Sequence, residues 1–390
     1  MGHMKIIRVL EQQISQRLDQ SNKGIVIYGP RQAGKTTLVN DLLLQKSWRT
    51  LVVNGDRRGE WWDMLVSRDL AQFKVLLGGY RAIFVDEAQR IPEIGLILKI
   101  ILDEFPSMKV IVTGSSSLDL ASKVSEPLTG RVTTYRLYQI SIAELAGIYT
   151  GYELRESLNE RLIFGSYPEI FSLHGAEAKA DYLRNLTDSY LYRDLLEFGG
   201  IRNSSKIRDL LKLLAFQIGS QVSLTELANT LELSRMTVER YIDLLEKSFV
   251  VFRLSGLSRN LRKEVSKMDK IYFYDVGVRN TVIGNLNSLQ SRDDAGRLWE
   301  NFLMIERKKR LEYEGTLYAH YFWRLTTGAE LDLVEETGGK LTGFEFKYSQ
   351  KIVKAPQSWA KTYPGSEFKT INRQNYLDFV QLKKAMELLK

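Results

Sequence analysis

The sequence has no cysteine, which excludes disulfide bonds and thiolate chemistry but does not by itself fix the compartment. No apolar run is long enough to cross a bilayer, and the start lacks the hydrophobic region of a secretory signal. No membrane partner is expected, and a cytoplasmic protein is. Met1-Gly2-His3 reads as a cloning remnant before a start at Met4. What is present is ordinary for a folded chain. There are 390 residues, enough for two or three cores, with 44% hydrophobic and 26% charged residues. Lys and Arg number 55 against 47 Asp and Glu, a net charge of +8. That excess favours polyanionic partners without establishing nucleic-acid binding.

The strongest local signal is Gly29-Pro30-Arg31-Gln32-Ala33-Gly34-Lys35-Thr36-Thr37. Two glycines separated by four residues, then Lys and Thr, match the phosphate-binding loop. Residues 24–28 form a short apolar run that reads as a buried strand, and residues 37–44 read as the next helix. Glycines let the backbone wrap a phosphate without Cβ clashes. The N–H groups at the helix start then face the anion. On this pattern Lys35 reaches the β- and γ-phosphates of ATP, and the Thr36 hydroxyl holds Mg²⁺.

Upstream, Ile7, Leu10, Ile14 and Leu18 recur at helical spacing, which predicts a helix over 5–19. Residues 50–54 read as a second strand. Trp61 and Trp62 fall in the next segment, where helix packing explains them better than a partner contact. Residues 82–85 predict another buried strand, and Asp86 and Glu87 emerge at its C-terminal end, where ligands of open parallel sheets bind. Asp86 is expected to support Mg²⁺ and Glu87 to activate the attacking water. Residues 109–113 predict a further strand, with Thr113, backed by Ser115, as the polar group sensing the γ-phosphate. Arg131 precedes a fifth strand over 132–136. It is either a cation for the transferring phosphoryl group, in cis or from a neighbour, or a solvated loop residue.

The stretches 29–37, Asp86-Glu-Ala-Gln89, Thr113-Gly-Ser-Ser-Ser117 and Leu128-Thr-Gly-Arg131 together resemble a family of prokaryotic AAA-type P-loop ATPases. Gly165-Ser-Tyr-Pro-Glu169 resembles a segment C-terminal to the core in that family. The resemblance runs over essentially the whole chain from Met4. It implies an α/β fold with a parallel sheet in the order 5-1-4-3-2, and Gln89 near the nucleotide. It also implies a C-terminal region long described as of unknown function.

Residues 155–200 read as helices joining the core to the later part of the chain. A helix over 206–218, helices over 223–231 and 234–248, and strands over 249–254 and 270–274 predict a winged helix. Ser223 and Ser234 are placed as N-caps. The hairpin carries Arg259, Arg262, Lys263, Lys267 and Lys270 against only Glu264 and Asp269. One reading puts Ser234, Arg235, Thr237 and Arg240 at a DNA major groove with the hairpin on phosphates. The other has the winged helix packing between domains. Glu239, inside the proposed reading helix, would repel phosphate.

The C-terminal part predicts a helix over 295–311 with Glu300, strands over 318–324, 330–335 and 341–347, then a helix and a strand. Alternation puts Glu345 and Lys347 on one face, with Asp332 on the neighbouring strand. Two carboxylates can bind a hard cation, Mg²⁺ or Mn²⁺, and the lysine can hold the attacking water. This layout resembles PD-(D/E)XK nucleases, with Glu300, Asp332, Glu345 and Lys347 on the pattern. The region either cuts phosphodiesters or keeps the fold for nucleic-acid or protein contact. The expected division is an AAA-type ATPase domain over 4–150, a helical linker or lid over 151–204, a winged helix over 205–280 and a small nuclease-like α/β domain over 290–390. The whole predicts Mg²⁺-dependent ATP hydrolysis that moves a DNA-associated module, or alternatively a nucleotide-gated switch with an inactive nuclease-like domain. Oligomerisation stays open, since no second-subunit arginine can be identified.

Overall fold

The computed structural model describes residues 5–115, 128–191, 204–257, 268–325 and 327–381. The chain forms two compact units, one built on Ile7–Gln139 and the other on Ile140–Glu246 with Val250–Lys390.

In the first unit, apolar runs too continuous for a one-sided strand become the centre of a parallel sheet. The strands are β1 (Gly24–Tyr28), β2 (Thr50–Asn54), β3 (Ala82–Asp86), β4 (Lys109–Gly114) and β5 (Val132–Arg136). Every residue of β1, β3 and β4 is buried. The order is β2-β3-β4-β1-β5, with every pairing parallel. This is the expected 5-1-4-3-2 order read from the opposite edge, and β4 separates the phosphate-loop strand from the carboxylate strand. The helix Lys35–Lys46 comes after β1, and Ile94–Glu104 joins β3 to β4. The first helix, Val9–Gln20, buries Leu10, Ile14 and Leu18 as its spacing predicts. It starts later than expected, and Ile7 stays exposed. Because the strands run parallel, Gly29, Asn54, Asp86 and Ser115 all lie at the same edge of the sheet.

The second unit carries a six-stranded mixed sheet in the order β11-β10-β9-β8-β6-β7. Its strands are β6 (Val251–Gly256), β7 (Lys270–Phe273), β8 (Ala319–Arg324), β9 (Glu330–Thr337), β10 (Lys340–Lys347) and β11 (Glu367–Asn372). The helices Ser204–Phe216, Leu224–Leu231 and Arg235–Lys247 precede β6. Ser223 and Ser234 accept from the backbone N–H groups of Glu226 and Thr237, so both expected caps form. The C-terminal strands come after the helix Ala295–Tyr313, as the pattern predicts. Trp323, Leu331, Val334, Trp359 and Tyr363 form a cluster against the sheet.

The three domains expected after residue 150 are one unit here, and the reason lies in long-range pairing. The hairpin β6–β7 does not stand alone as a wing, because Ser255 and Gly256 of β6 pair in parallel with Tyr321 and Phe322 of β8. One sheet therefore crosses the expected boundary between 280 and 290. Glu306, almost fully buried on the helix Ala295–Tyr313, accepts from the Ile142 N–H at 2.6 Å, Lys309 Nζ at 2.8 Å and Arg161 Nη2 at 3.4 Å. Asp275 accepts from the Ser166 N–H at 2.7 Å. The bonds of Arg161 and Ser166 tie the segment expected as a linker to both later parts.

Candidate functional site

At the strand-end edge of the first unit, Gly29 opens the loop where nothing larger fits. A Cβ there would lie 2.0 Å from the Leu137 carbonyl oxygen. Gly34 closes the loop in left-handed backbone, with φ 91°. The helix Lys35–Lys46 begins directly after it. Lys35 is buried, and its Nζ donates to the Gly29 and Pro30 carbonyls at 2.9 Å each, so the ammonium lies inside the loop.

Asp86 is the hub of the edge. It accepts from Thr36 Oγ1 at 3.1 and 3.2 Å, from Asn54 Nδ2 at 3.2 Å, and from Thr113 Oγ1 in a short bond. Thr36, Asp86 and Thr113 come together as the sequence pattern predicts, and Asn54 joins them without having been expected. The only signal for Asn54 was a polar residue ending an otherwise apolar strand. Glu87 has left-handed backbone, φ 47° and ψ 44°. Such a conformation costs a non-glycine residue about 1–3 kcal/mol and recurs where geometry is held for function. Gln89 is buried, and its Nε2 donates to Glu87 Oε2 at 2.5 Å and to Ser115 Oγ at 3.0 Å.

Arg131 is corrected as a cation acting in cis. Its carbonyl accepts from the Gly24 N–H, so it stands where β1 begins, and the loop starts where β1 ends. Five residues of strand rise about 3.3 Å each, beyond the reach of an arginine. Its guanidinium instead forms a two-bond pair with Asp103, at 2.7 and 3.1 Å.

In the second unit, Arg235 and Arg240 are exposed on the helix Arg235–Lys247, while the Thr237 hydroxyl lies 2.8 Å from that of Ser234. Arg235, Glu239, Arg253 and Asp269 line a cavity of about 460 Å³ beside the start of this helix. Arg259, Arg262, Lys263 and Lys267 lie outside the described residues. Lys270 is not an open phosphate contact. It is buried, and its Nζ faces Glu300 at 3.4 Å.

Glu300 also accepts from the Tyr272 hydroxyl at 2.6 Å. Glu345 and Lys347 share a face and bond at 2.7 Å, and Asp332 accepts from the Phe346 N–H at 2.7 Å. Burial raises the Asp332 carboxyl well above its ordinary range, and the charges of Glu300 and Glu345 add to this. Burial also raises Glu300, against the pull of Lys270 and Tyr272. Burial would lower the Lys347 ammonium, but its bond to Glu345 and the nearby carboxylates outweigh that and raise it. The four residues read from the sequence are thus electrostatic neighbours. Even so, no group of three or more His, Asp or Glu side chains among the described residues is arranged to hold a metal ion. Tyr272 and Lys270, the partners of Glu300, were not part of the expected site.

Residues 21–146 match a family described as an AAA domain. Residues 155–289 and 295–374 match two domains of unknown function, DUF8612 and DUF4143. The uncharacterized protein Rv2008c of Mycobacterium tuberculosis is 31% identical over 329 residues, which cover 83% of this chain and 70% of that protein. The chain belongs to the family of that protein. The uncharacterized protein MJ1544 of Methanocaldococcus jannaschii is 25% identical, covering 76% of this chain and 69% of its own. Among solved structures, the Walker-type ATPase PABY2304 of Pyrococcus abyssi overlays with a TM-score of 0.48 at 12% identity, over 70% of this chain and 94% of that one. The matched AAA domain lies within the first unit, apart from its last residues. No helix among the described residues is long and apolar enough to cross a membrane.

Proposed function

We propose that the first unit binds ATP with Mg²⁺ and hydrolyses it, and that the nucleotide state alters how a DNA-associated second unit makes contacts. The observation that carries the hydrolytic part is the Asp86 hub. A lysine in a glycine loop, a threonine hydroxyl, a carboxylate and an adjacent glutamate all lie at one sheet edge. The donor set fits the proposed cofactor. The Thr36 hydroxyl and Asp86 carboxylate are hard oxygen groups 3.1–3.2 Å apart, suited to an ion that keeps several waters. The buried Lys35 ammonium lies in the loop, where it would meet phosphate oxygens. Bound Mg²⁺ would supply charge neutralisation on the phosphates.

Glu87 takes the proton of the attacking water, Lys35 holds the β- and γ-phosphates, and Thr113 sits where it can respond to the terminal phosphate. Glu87→Gln keeps ATP binding and lowers turnover by at least about tenfold, the least expected for loss of a general base. Lys35→Ala weakens binding itself. ATP affinity and phosphate release, measured on the same preparations, check both, and unchanged turnover in Glu87→Gln removes that residue from the mechanism.

In the second unit, the helix Arg235–Lys247 coming after a capped helix and turn supports a winged-helix reading with Arg235 and Arg240 toward DNA. A second functional reading, a nucleotide-gated switch with an inactive nuclease-like sheet, draws support from Glu300. That carboxylate is already held by Lys270 and Tyr272, which leaves Asp332 and Glu345 as the remaining pair for a cation.

A further inference from the structure

Gln89 has one short bond that Glu87-driven hydrolysis does not by itself require. Its side chain is only 5% exposed. Its nitrogen bridges Glu87 at 2.5 Å and Ser115 at 3.0 Å. The amide orientation is set by chemistry, because an ionised carboxylate only accepts, so the nitrogen must face Glu87. Ser115 comes directly after Gly114, which pairs with Tyr28 at the end of β1. The bridge therefore ties the glutamate to the strand beside the entrance of the phosphate loop. The other amide atom, Oε1, is buried and receives no hydrogen bond from any described residue.

We propose that Gln89 is a positioning residue for hydrolysis. Its N–H group fixes the Glu87 carboxylate against the end of β4 and so sets the direction in which that carboxylate meets the attacking water. One hydrogen of the water goes to Glu87, the water oxygen attacks the terminal phosphorus, and ADP leaves. Gln89 neither gains nor loses a proton. The inference rests on the proposed role of Glu87 in activating water.

The test is a double-variant cycle on the full chain. Single-turnover ATP hydrolysis is measured for the unsubstituted protein, Gln89→Ala, Glu87→Gln and the double variant, and ATPγS affinity is measured separately. Gln89→Ala is expected to lower the rate about tenfold, a fraction of the general base's own contribution, while ATPγS affinity changes by less than about threefold. A group that acts through Glu87 has nothing left to contribute once Glu87 is gone. The double variant should therefore match Glu87→Gln within about twofold, whereas independent effects would multiply. Ser115→Ala, which removes only the anchor, should cause a smaller loss in the same direction. A full or raised rate in Gln89→Ala beside an impaired Glu87→Gln overturns this inference alone, as does a multiplied loss in the double variant. An unimpaired Glu87→Gln overturns the water-activation reading beneath it. Retained ATPγS affinity distinguishes all of these from misfolding.

Discussion

Glu335 shows how a buried charge can be made favourable in this chain. It lies on β9 and is 6% exposed. Arg307 holds it in a two-bond pair at 2.7 and 2.6 Å, and His320 Nε2 lies 3.2 Å away. Burial alone would raise its carboxyl, but the Arg307 and His320 contacts win and hold it at about 2. An acid whose folded value lies below its unfolded value stabilises the fold above the unfolded value. That stabilisation is lost as the pH falls from about 4.5 toward 2. The size is about 3 kcal/mol at neutral pH, from about 2.5 units at 1.36 kcal/mol each. Asp275 works the other way. Burial pushes its carboxyl up to about 6, so its own contribution improves as the pH falls below that value. The two are separated by comparing variants. Glu335→Gln leaves Arg307 buried without its counter-charge and should cost about 3–5 kcal/mol near neutral pH. The gap from the unsubstituted protein should narrow below about pH 4.5. Urea unfolding from pH 3.5 to 8 measures it, and a gap that is flat with pH would mean the pair is not what lowers the carboxyl.

At the scale of elements, the most legible features were those whose signal is local. Residues 24–28 and 82–85 read as buried strands because the apolar run is continuous, and the residues after them carried the phosphate loop and the carboxylate pair. Strands β8 to β10 lie close to the stretches 318–324, 330–335 and 341–347 expected from the sequence. Partnerships made over long separations were not legible. The parallel pairing of β6 with β8 leaves no periodic trace in either strand, so a wing and a separate small domain were expected where one sheet exists. The cis reading of Arg131 failed for a related reason. Its position just before β5 says nothing about which edge of the sheet it occupies until β5 is known to run parallel to β1. Lys270 looked like one more basic residue of a hairpin until the fold put it against Glu300, a residue thirty positions away.

The helix Arg235–Lys247 makes the DNA reading testable at this same scale. Arg235 and Arg240 are exposed, the Arg240 guanidinium lying over the Tyr241 ring at 5.7 Å, whereas the Thr237 and Ser234 hydroxyls are engaged with each other. If both arginines contact phosphate, each alanine replacement should reduce the slope of log affinity against log salt by about 1. Binding should weaken alike for unrelated duplex sequences. Fluorescence anisotropy with two duplexes over a range of salt measures it, and an unchanged slope in both variants would assign the helix to packing.

On the scale of the whole molecule, the question is whether events at the Asp86 hub are felt beyond Gln139. Coupling between two sites is a free-energy difference, and it is reciprocal for binding. The Glu87→Gln variant provides a long-lived ATP-bound state in which to look for it. Hydrogen exchange with and without ATP should change at the phosphate loop in any case. The proposed coupling adds a change in the second unit, around the helix Arg235–Lys247 and the sheet that carries Asp332 and Glu345. The same preparations, given Mg²⁺ or Mn²⁺ and several forms of DNA, separate the two functional readings. DNA cutting that disappears in Asp332→Ala and Lys347→Ala supports a working nuclease. Altered exchange without any cutting supports the switch, with Lys270 and Tyr272 keeping Glu300 from a cation. An exchange response confined to Ile7–Gln139 would leave an ATPase with no readout in the rest of the chain, because a nucleotide that does not change the second unit's free energy cannot change what that unit binds.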